Sequence, residues 1–268
     1  GGWFSVAGGQ PAQHIARWNG AIWQPLGDGT DNEVRALVVM GGTLIAGGLF
    51  TAAGGQPANY VAAWDGNAWQ PLGAGVYGAV RTLVVHGGQL VAGGDFYLPA
   101  GSYVARWDGA AWSALGGGMD SPVHALTVYD AGLIAGGYFL NAGGHNARFI
   151  ARWNGATWQP LGGGLNSPVN ALAAYRTELI AGGDFTLAGG NVSAYWARWG
   201  LDCPVGDVDC NGSVDFDDIN PFVLALSDPA GYAAAFPNCN ILNGDCNGDG
   251  FVDFDDINPF IAILSGGQ

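Results

Sequence analysis

The sequence predicts a mainly β chain: a β-propeller over residues 1–200, then a small α-helical domain with two calcium loops over residues 201–268. Three observations carry that expectation. Gly-Gly doublets begin at 1, 47, 93, 136 and 182, and tryptophans at 18, 64, 107, 153 and 199 keep step with them. A period of about 45 residues is that of a propeller or a solenoid. Forty-eight glycines and eleven tryptophans, without one lysine, describe a turn-rich β protein. Twelve of the 22 acidic residues lie from Asp202 onward, whereas all eight arginines lie before residue 200.

The chain opens inside a repeat at Gly1-Gly2-Trp3-Phe4, so the N-terminal unit is expected to lack its first strand. In the first complete unit, residues 34–39 (Val-Arg-Ala-Leu-Val-Val) form a β-rich run and 40–43 turn the chain. Residues 44–50 return, 51–58 read as a loop, and 60–64 meet 68–72 across Asp65-Gly66. Asn-Gly or Asp-Gly recurs at 19–20, 65–66, 108–109 and 154–155, each between β-rich runs. That dipeptide predicts type I′ turns, which need positive φ at both central residues. Four antiparallel strands per unit, with no helix between them, favour a propeller blade over a solenoid coil. Three units are complete and a last one stops at Trp199-Gly200 without its outer strand, giving about four to five blades. The end fragments either complement each other in a closed ring or belong to a longer propeller. The abrupt start favours truncation.

The order of an inner strand, a second strand ending in Gly-Gly and a hairpin carrying Trp resembles kelch-type blades. The wording Ile-Ala-Arg-Trp-Asn-Gly, followed by Leu-Ile-Ala-Gly-Gly-x-Phe, is also similar to repeats of microbial cell-surface propellers. This resemblance covers residues 1–200 and speaks for architecture rather than activity.

An enzyme on this scaffold needs convergent groups. Asp95 and Asp184 both follow a Gly-Gly doublet, where Leu49 and Tyr138 stand in other units. A glycosidase would need two such carboxylates within a few ångströms. The plainer reading is a tolerated polar strand end. His14, His86, His124 and His145 share no repeat position and no ligand spacing, so a zinc or copper enzyme lacks support. The tryptophans recur at fixed phase, as packing between adjacent blades demands. No catalytic residue is assigned, and a carbohydrate or protein ligand is expected on the loop face.

The acidic tail is more specific. In a twelve-residue calcium loop, positions 1, 3, 5, 9 and 12 offer side-chain oxygens, position 7 offers its carbonyl, and position 6 is Gly for a sharp turn. Residues 207–218 supply Asp207, Asp209, Asn211, Gly212, Ser213, Asp215 and Asp218 at those places. Residues 245–256 supply Asp245, Asn247, Asp249, Gly250, Phe251, Asp253 and Asp256. Two Ca2+ sites are therefore expected, each closed by the octapeptide Asp-Phe-Asp-Asp-Ile-Asn-Pro-Phe at 215–222 and 253–260. Cys203, Cys210, Cys239 and Cys246 all lie in this tail, and an even set suggests disulfides in an oxidising compartment. Three pairings remain open.

A calcium loop followed by one short helix, duplicated, resembles the type I dockerin domain over about residues 203–265. The cysteines make it similar to the dockerin-like tails of planctomycete-type secreted proteins. The resemblance implies calcium-dependent folding and docking onto a cohesin-like or other cell-envelope partner. It places recognition at loop positions 10 and 11, here Phe216 with Asp217 and Phe254 with Asp255.

The last 67 residues carry twelve acids and no arginine, so a nucleic-acid role, which needs a basic footprint, is excluded. No run of about 18 apolar residues exists to span a membrane. The expected protein is a non-catalytic, extracellular or surface-displayed propeller attached through its calcium module. Two alternatives are a polysaccharide-active propeller enzyme delivered by that module, and a structural calcium-stabilised cap on the propeller.

Overall fold

The structure is a computed structural model that describes residues 1–99, 101–175, 178–200, 205–211, 213–236, 239 and 241–266. The chain divides into two compact units: Gly1–Ala173 with Ile180–Ala197, and Ala174–Leu179 with Arg198–Gln268.

Along the repeats, antiparallel meanders follow one another in the chain. Val34–Met40, Thr43–Gly48, Val61–Trp64 and Trp69–Pro71 make the first four-stranded sheet in chain order. Tyr77–His86, Gln89–Leu98, Gly101–Trp107 and Trp112–Ala114 make the second, and Val123–Tyr129, Gly132–Gly137, Ile150–Trp153 and Trp158–Pro160 the third. The fourth has three strands, Val169–Tyr175, Glu178–Gly183 and Trp196–Gly200. The mainly β expectation and the strand phase hold.

Three local readings are corrected. The Asn-Gly and Asp-Gly hairpins are real, but they are not two-residue turns. Trp18 pairs with Trp23 and Trp64 with Trp69, leaving four residues in each connection. Asn19 Oδ1 accepts the amides of Ala21 and Ile22 at 2.9 Å, and Asp65 Oδ1 those of Asn67 and Ala68 at 2.8 Å. Because the side chain mimics a backbone turn, the Asx residue escapes the left-handed region, and only Gly20 and Gly66 take positive φ, 99° and 103°. The stretch 51–58 is no plain loop either: Ala52–Ala53 pairs with Gln56–Pro57 around Gly54 and Gly55. Finally, the first hairpin, Ala16–Trp18 with Trp23–Pro25, makes a two-stranded sheet of its own rather than the outer part of a three-stranded one.

The ribbon of 52–57 recurs at Asn141–Ala142 with His145–Asn146 and at Leu187–Ala188 with Asn191–Val192. In the second sheet the main strands instead run on to pair Leu98 with Gly101. That substitution explains why Trp64 and Trp107 are 43 residues apart while the other tryptophan intervals are 46.

Sheets join through glycine. A methyl group on Gly93 would lie 2.6 Å from Val123 Cγ1, and one on Gly136 would lie 2.5 Å from Val169 Cγ1. The first glycine of each doublet therefore lets one sheet close on the Val and Leu of the next. Tryptophan locks the outer half of the joint. Trp69, Trp112 and Trp158 donate their indole N–H to the carbonyls of Leu26, Leu72 and Leu115 in the preceding unit, at 2.9, 3.2 and 3.0 Å. Trp158 is fully buried, so this bond satisfies a donor that would otherwise be costly. At Trp69, Trp112 and Trp158 the role is thus packing between units, whereas Trp18, Trp23 and Trp199 of the end units are exposed.

In the second unit, α1 (Ile219–Ser227), α2 (Pro229–Ala235) and α3 (Ile257–Leu264) surround a small core of Val208, Phe222, Ala225, Tyr232 and Phe260. Phe222 and Phe260, equivalent residues of the two octapeptides, stack with centroids 4.1 Å apart. The Tyr232 hydroxyl donates to the Val208 carbonyl at 2.7 Å. Helix α2 was not expected from the duplicated loop-and-helix pattern. Its signal was nonetheless present: Asp228 caps the Gly231 amide at 2.9 Å and Pro229 follows at N1.

Candidate metal centre

Each acidic loop is built on its twelfth residue. Asp218 is completely buried, and its Oδ1 accepts the amides of Val208 and Asp209 at 2.7 and 3.0 Å. Its Oδ2 accepts the Asp215 amide at 2.9 Å. Asp256, equally buried, repeats the pattern with Cys246, Asn247 and Asp253 at 2.8, 3.0 and 2.9 Å. A carboxylate offers about four lone-pair sites, so three amides leave one for a cation. The shorter aspartate at position 12 suits this double duty, tying positions 2, 3 and 9 together while facing the loop centre.

The ninth residues begin the helices. Asp215 and Asp253 each accept the amide two residues on, from Asp217 and Asp255, at 2.9 Å, and each forms a capping box with its position-12 aspartate. Pro221 and Pro259 then fall in the first turn of α1 and α3, where a missing N–H costs little.

In the first loop the ligand set converges. One oxygen each from Asp207, Asp209 and Asp218 lies within 4.8 Å of the others. Asn211 sits at its edge, its Nδ2 donating to Asp209 Oδ2 at 3.0 Å and its Oδ1 accepting the Ser213 amide at 2.9 Å. Gly212 lies outside the described residues. In the second loop Gly250 makes the position-6 turn at φ 92°, and Asp245 accepts the amides of Gly248, Asp249 and Gly250. Asn247 Oδ1 accepts the Asp249 amide at 2.9 Å, and Asp249 Oδ1 accepts the Phe251 amide at 3.0 Å. Asp245, Asp249, Asp253 and Asp256 do not form a second carboxylate triad among the described residues. The donors are hard oxygens throughout, which fits a cation such as Ca2+ rather than a soft metal.

The residues assigned to partner binding stand clear of this chemistry. Phe216 is 78% exposed and Phe254 76%, with Asp217 and Asp255 exposed beside them. Val223 and Ile261, seven residues further on, are also exposed on α1 and α3. The sequence reading missed this second pair. Its i, i+7 spacing from the phenylalanines would have found it.

Cys210 and Cys239 stand at disulfide distance, with Cα atoms 5.7 Å apart; Cys203 lies outside the described residues. The half-buried Cys246 thiol is pushed up to about 11 by burial and by the carboxylates of Asp256 and Asp245, which keeps it protonated.

In the repeats, Asp95 pairs with Arg81 at 2.6 Å, whereas Asp184 accepts from Asn170 at 3.2 Å. The two acids have different hydrogen-bond partners, yet the charges of both act to raise the pKa of His124. Asn170 Oδ1 also lies 3.3 Å from His124 Nδ1. Burial first, then the Arg81 charge, holds His124 below its ordinary pKa. Asp31 and Asp120 serve as clamps, each accepting two backbone amides of the ribbon that follows.

No helix among the described residues is long and apolar enough to cross a membrane. Neither a protein-family model nor a curated protein matches the chain. Among solved structures, the computationally designed Ika4 protein is similar with a TM-score of 0.44 and 19% identity, over 66% of this chain and 98% of that one. The computationally designed Ika8 protein is similar with a TM-score of 0.45 and 17% identity, over 71% of this chain and 51% of that one.

Proposed function

We propose that the C-terminal unit is a calcium-dependent, dockerin-like docking module, and that the repeats it carries are a non-catalytic, kelch-like propeller that binds ligands outside the cell. The observation that carries this reading is the convergence of Asp207, Asp209 and Asp218 around a position-12 carboxylate that is fully buried yet bound to three amides. Three carboxylates gathered so closely repel one another unless a cation joins them. Cation binding is then coupled to the folding of the unit, as in small metallo-domains generally. The Cys210–Cys239 pair at disulfide distance supports an oxidising, extracellular setting.

Docking rests on the exposed pairs Phe216 with Val223 and Phe254 with Ile261, two apolar edges carried by the two copies of one motif. Such a surface suits an apolar groove on a cohesin-like envelope partner.

Calorimetric titration of the full chain with Ca2+ tests the metal reading. The expected result is two sites, reduced to one by Asp218→Asn, because the amide NH2 of asparagine would face the Asp215 N–H. No heat of binding at millimolar Ca2+ would refute it. Recovery of an envelope protein with Ca2+, and its loss on chelation, tests docking; no recovery under either condition would refute that part alone.

A further inference from the structure

We propose that a strip of side chains crossing the second, third and fourth sheets is a binding site for a neutral oligosaccharide. Such a site rests on the ligand-binding role given to the repeats above and names its ligand class. Two positions vary where everything around them repeats. Val34, Val80, Val123 and Val169 are buried, and the residue after each is Arg35, Arg81, His124 and Asn170 in turn. Each Gly-Gly doublet leads to a buried phenylalanine at 50, 96, 139 or 185, yet the residue between is Leu49, Asp95, Tyr138 or Asp184. Packing fixes the neighbours, but it does not require a charge in one unit, a ring in the next and an amide in another.

The backbone presents these positions alike. In the first three sheets the ladder pairs Val34 with Gly48, Val80 with Gly94 and Val123 with Gly137, then skips Arg35, Arg81 and His124. Each skipped residue stands in a β-bulge, a device that re-aims a side chain. The second glycine of each doublet holds it there. A methyl on Gly48, Gly94, Gly137 or Gly183 would lie 2.0–2.2 Å from the carbonyl oxygen just before the valine, so only bare backbone fits.

The side chains then join. Arg81 Nε donates to Asp95 Oδ2 at 2.6 Å. His124 Nδ1 lies 3.3 Å from Asn170 Oδ1, and Asn170 Nδ2 donates to Asp184 Oδ1 at 3.2 Å. The charges of Arg81, Asp95 and Asp184 all act on His124, so groups from three sheets share one neighbourhood. Arg81 and Asp95 keep 33% and 31% of their side chains exposed, enough to meet a ligand.

Arg81 beside Asp95, and Asn170 beside Asp184, each set a donor next to an acceptor, as neighbouring sugar hydroxyls require. Asp95 balances Arg81, and His124 is held below its ordinary pKa, so the strip has no net positive charge to draw a polyanion. Rings complete the site. Tyr138 lies against His124 with centroids 4.7 Å apart and is 45% exposed. Tyr97 follows Asp95 on the same side of its strand, since Phe96 between them is buried, and stacks on Tyr77 at 5.5 Å and 20°. Both tyrosines are more than half exposed, at 62% and 53%. Flat aromatic faces with a polar edge suit the C–H faces of sugar rings. The pair exists because the second sheet's strands run on where the other sheets form a ribbon, so this departure from the repeat brings rings to the strip.

Native gels of the full chain with Ca2+, cast with β-glucan, arabinoxylan, galactomannan or the polyanion polygalacturonate, test the site. Retardation by at least one neutral polymer, and not by polygalacturonate, is expected. In calorimetric titration with the hexasaccharide of that polymer, Tyr97→Ala, Tyr138→Leu and Arg81→Asn should each weaken binding about tenfold, the loss of one ring contact or hydrogen bond. Tyr138→Leu and Arg81→Asn introduce residues the repeat already carries at the same phase, in Leu49 and Asn170, so folding is kept. Gln159→Ala, on an exposed outer strand, should change nothing. No retardation by any neutral polymer, or binding that survives all three variants, overturns the inference, and so does retention by polygalacturonate alone. An envelope protein captured only while Arg81 is intact, with no glycan bound, keeps the ligand-binding role and overturns the glycan. New reducing ends in the polymer would overturn the non-catalytic reading of the repeats and leave this binding site standing.

Discussion

One repeat position distinguishes a closed joint from an open face with a single methyl group. Gly136→Ala and Gly182→Ala are the same substitution at the same phase, and neither glycine has positive φ. The gain from restricting the unfolded chain, roughly 0.5–1 kcal/mol in a strand, is therefore common to both. At 136 the added carbon would lie 2.5 and 2.9 Å from Val169 Cγ1 and Cβ, and 3.2 Å from Leu172 Cδ1. Val169 is fully buried and β-branched, so it cannot rotate away cheaply. Overpacking of this kind costs about 1–3 kcal/mol. At 182 the nearest atom is 3.9 Å away and there is no overpacking term. The two variants should thus differ by about 1–3 kcal/mol, equivalent to roughly 2–10 °C in Tm for an array of this size. Urea denaturation followed by tryptophan fluorescence, at a concentration where the chain is monomeric, reads the difference directly. Equal shifts for the two variants would refute the assignment of the doublet glycine to the inter-sheet joint.

Other expectations use the same comparison between repeats. Trp158→Phe should cost about 0.5–1.5 kcal/mol, the net value of the lost indole bond, because the Leu115 carbonyl still accepts the Gly118 amide at 3.0 Å. Trp23→Phe, at a 43% exposed position, should stay within about 0.5 kcal/mol in the same denaturation assay. Asp31→Asn should be nearly neutral, since Asn166 already makes the equivalent bonds to the Thr186 and Leu187 amides at 2.8 and 2.9 Å; Asp31→Ala should cost about 1 kcal/mol. Burial raises the Asp31 pKa, but the Ala52 amide and the Thr51 hydroxyl and amide outweigh it and hold the carboxyl below its usual value. Its contribution is therefore complete above the unfolded carboxylate value of about 4 and lost as pH falls through the lower folded one, a dependence that Asp31→Asn should remove. Chelation of Ca2+ should unfold the C-terminal unit, by far-UV circular dichroism, while the repeat tryptophans keep their emission.

Much of the array was legible because its information is periodic. Gly-Gly and Trp at constant phase located the main sheets, though not the two-stranded ribbons, and apolar runs such as 34–39 located the strands within them. What the period does not encode is which groups meet across it. Asn19 and Asp65 were read as backbone formers of a type I′ turn, whereas their side chains do that work by hydrogen bonding, a choice the dipeptide alone leaves open. The first doublet glycine was read as a strand end, yet its role is set by a valine 33 residues later, at Gly47 with Val80 and Gly136 with Val169. In the tail the spacing anticipated the gathering of Asp207, Asp209 and Asp218, since the loop register is a covalent property. The amides that bind Asp218 and Asp256 were not legible, because backbone donors leave no mark on a sequence.

The duplicated octapeptide can now be divided by task. Asp215 and Asp253 cap helices; Asp218 and Asp256 close the loops; Phe222 and Phe260 stack in the core. Pro221 is buried where its missing N–H is harmless. Every one of these identities follows from folding or from holding a cation. Phe216 and Phe254 have no such task, and each leaves more than three quarters of its surface in water, where an aromatic ring contributes little to the stability of the unit. Each is joined seven residues on by an exposed branched residue, Val223 or Ile261, so the same apolar edge is presented twice. Under the proposed docking role, a partner that reads one edge would meet closely similar chemistry on the other, and would have two ways to dock.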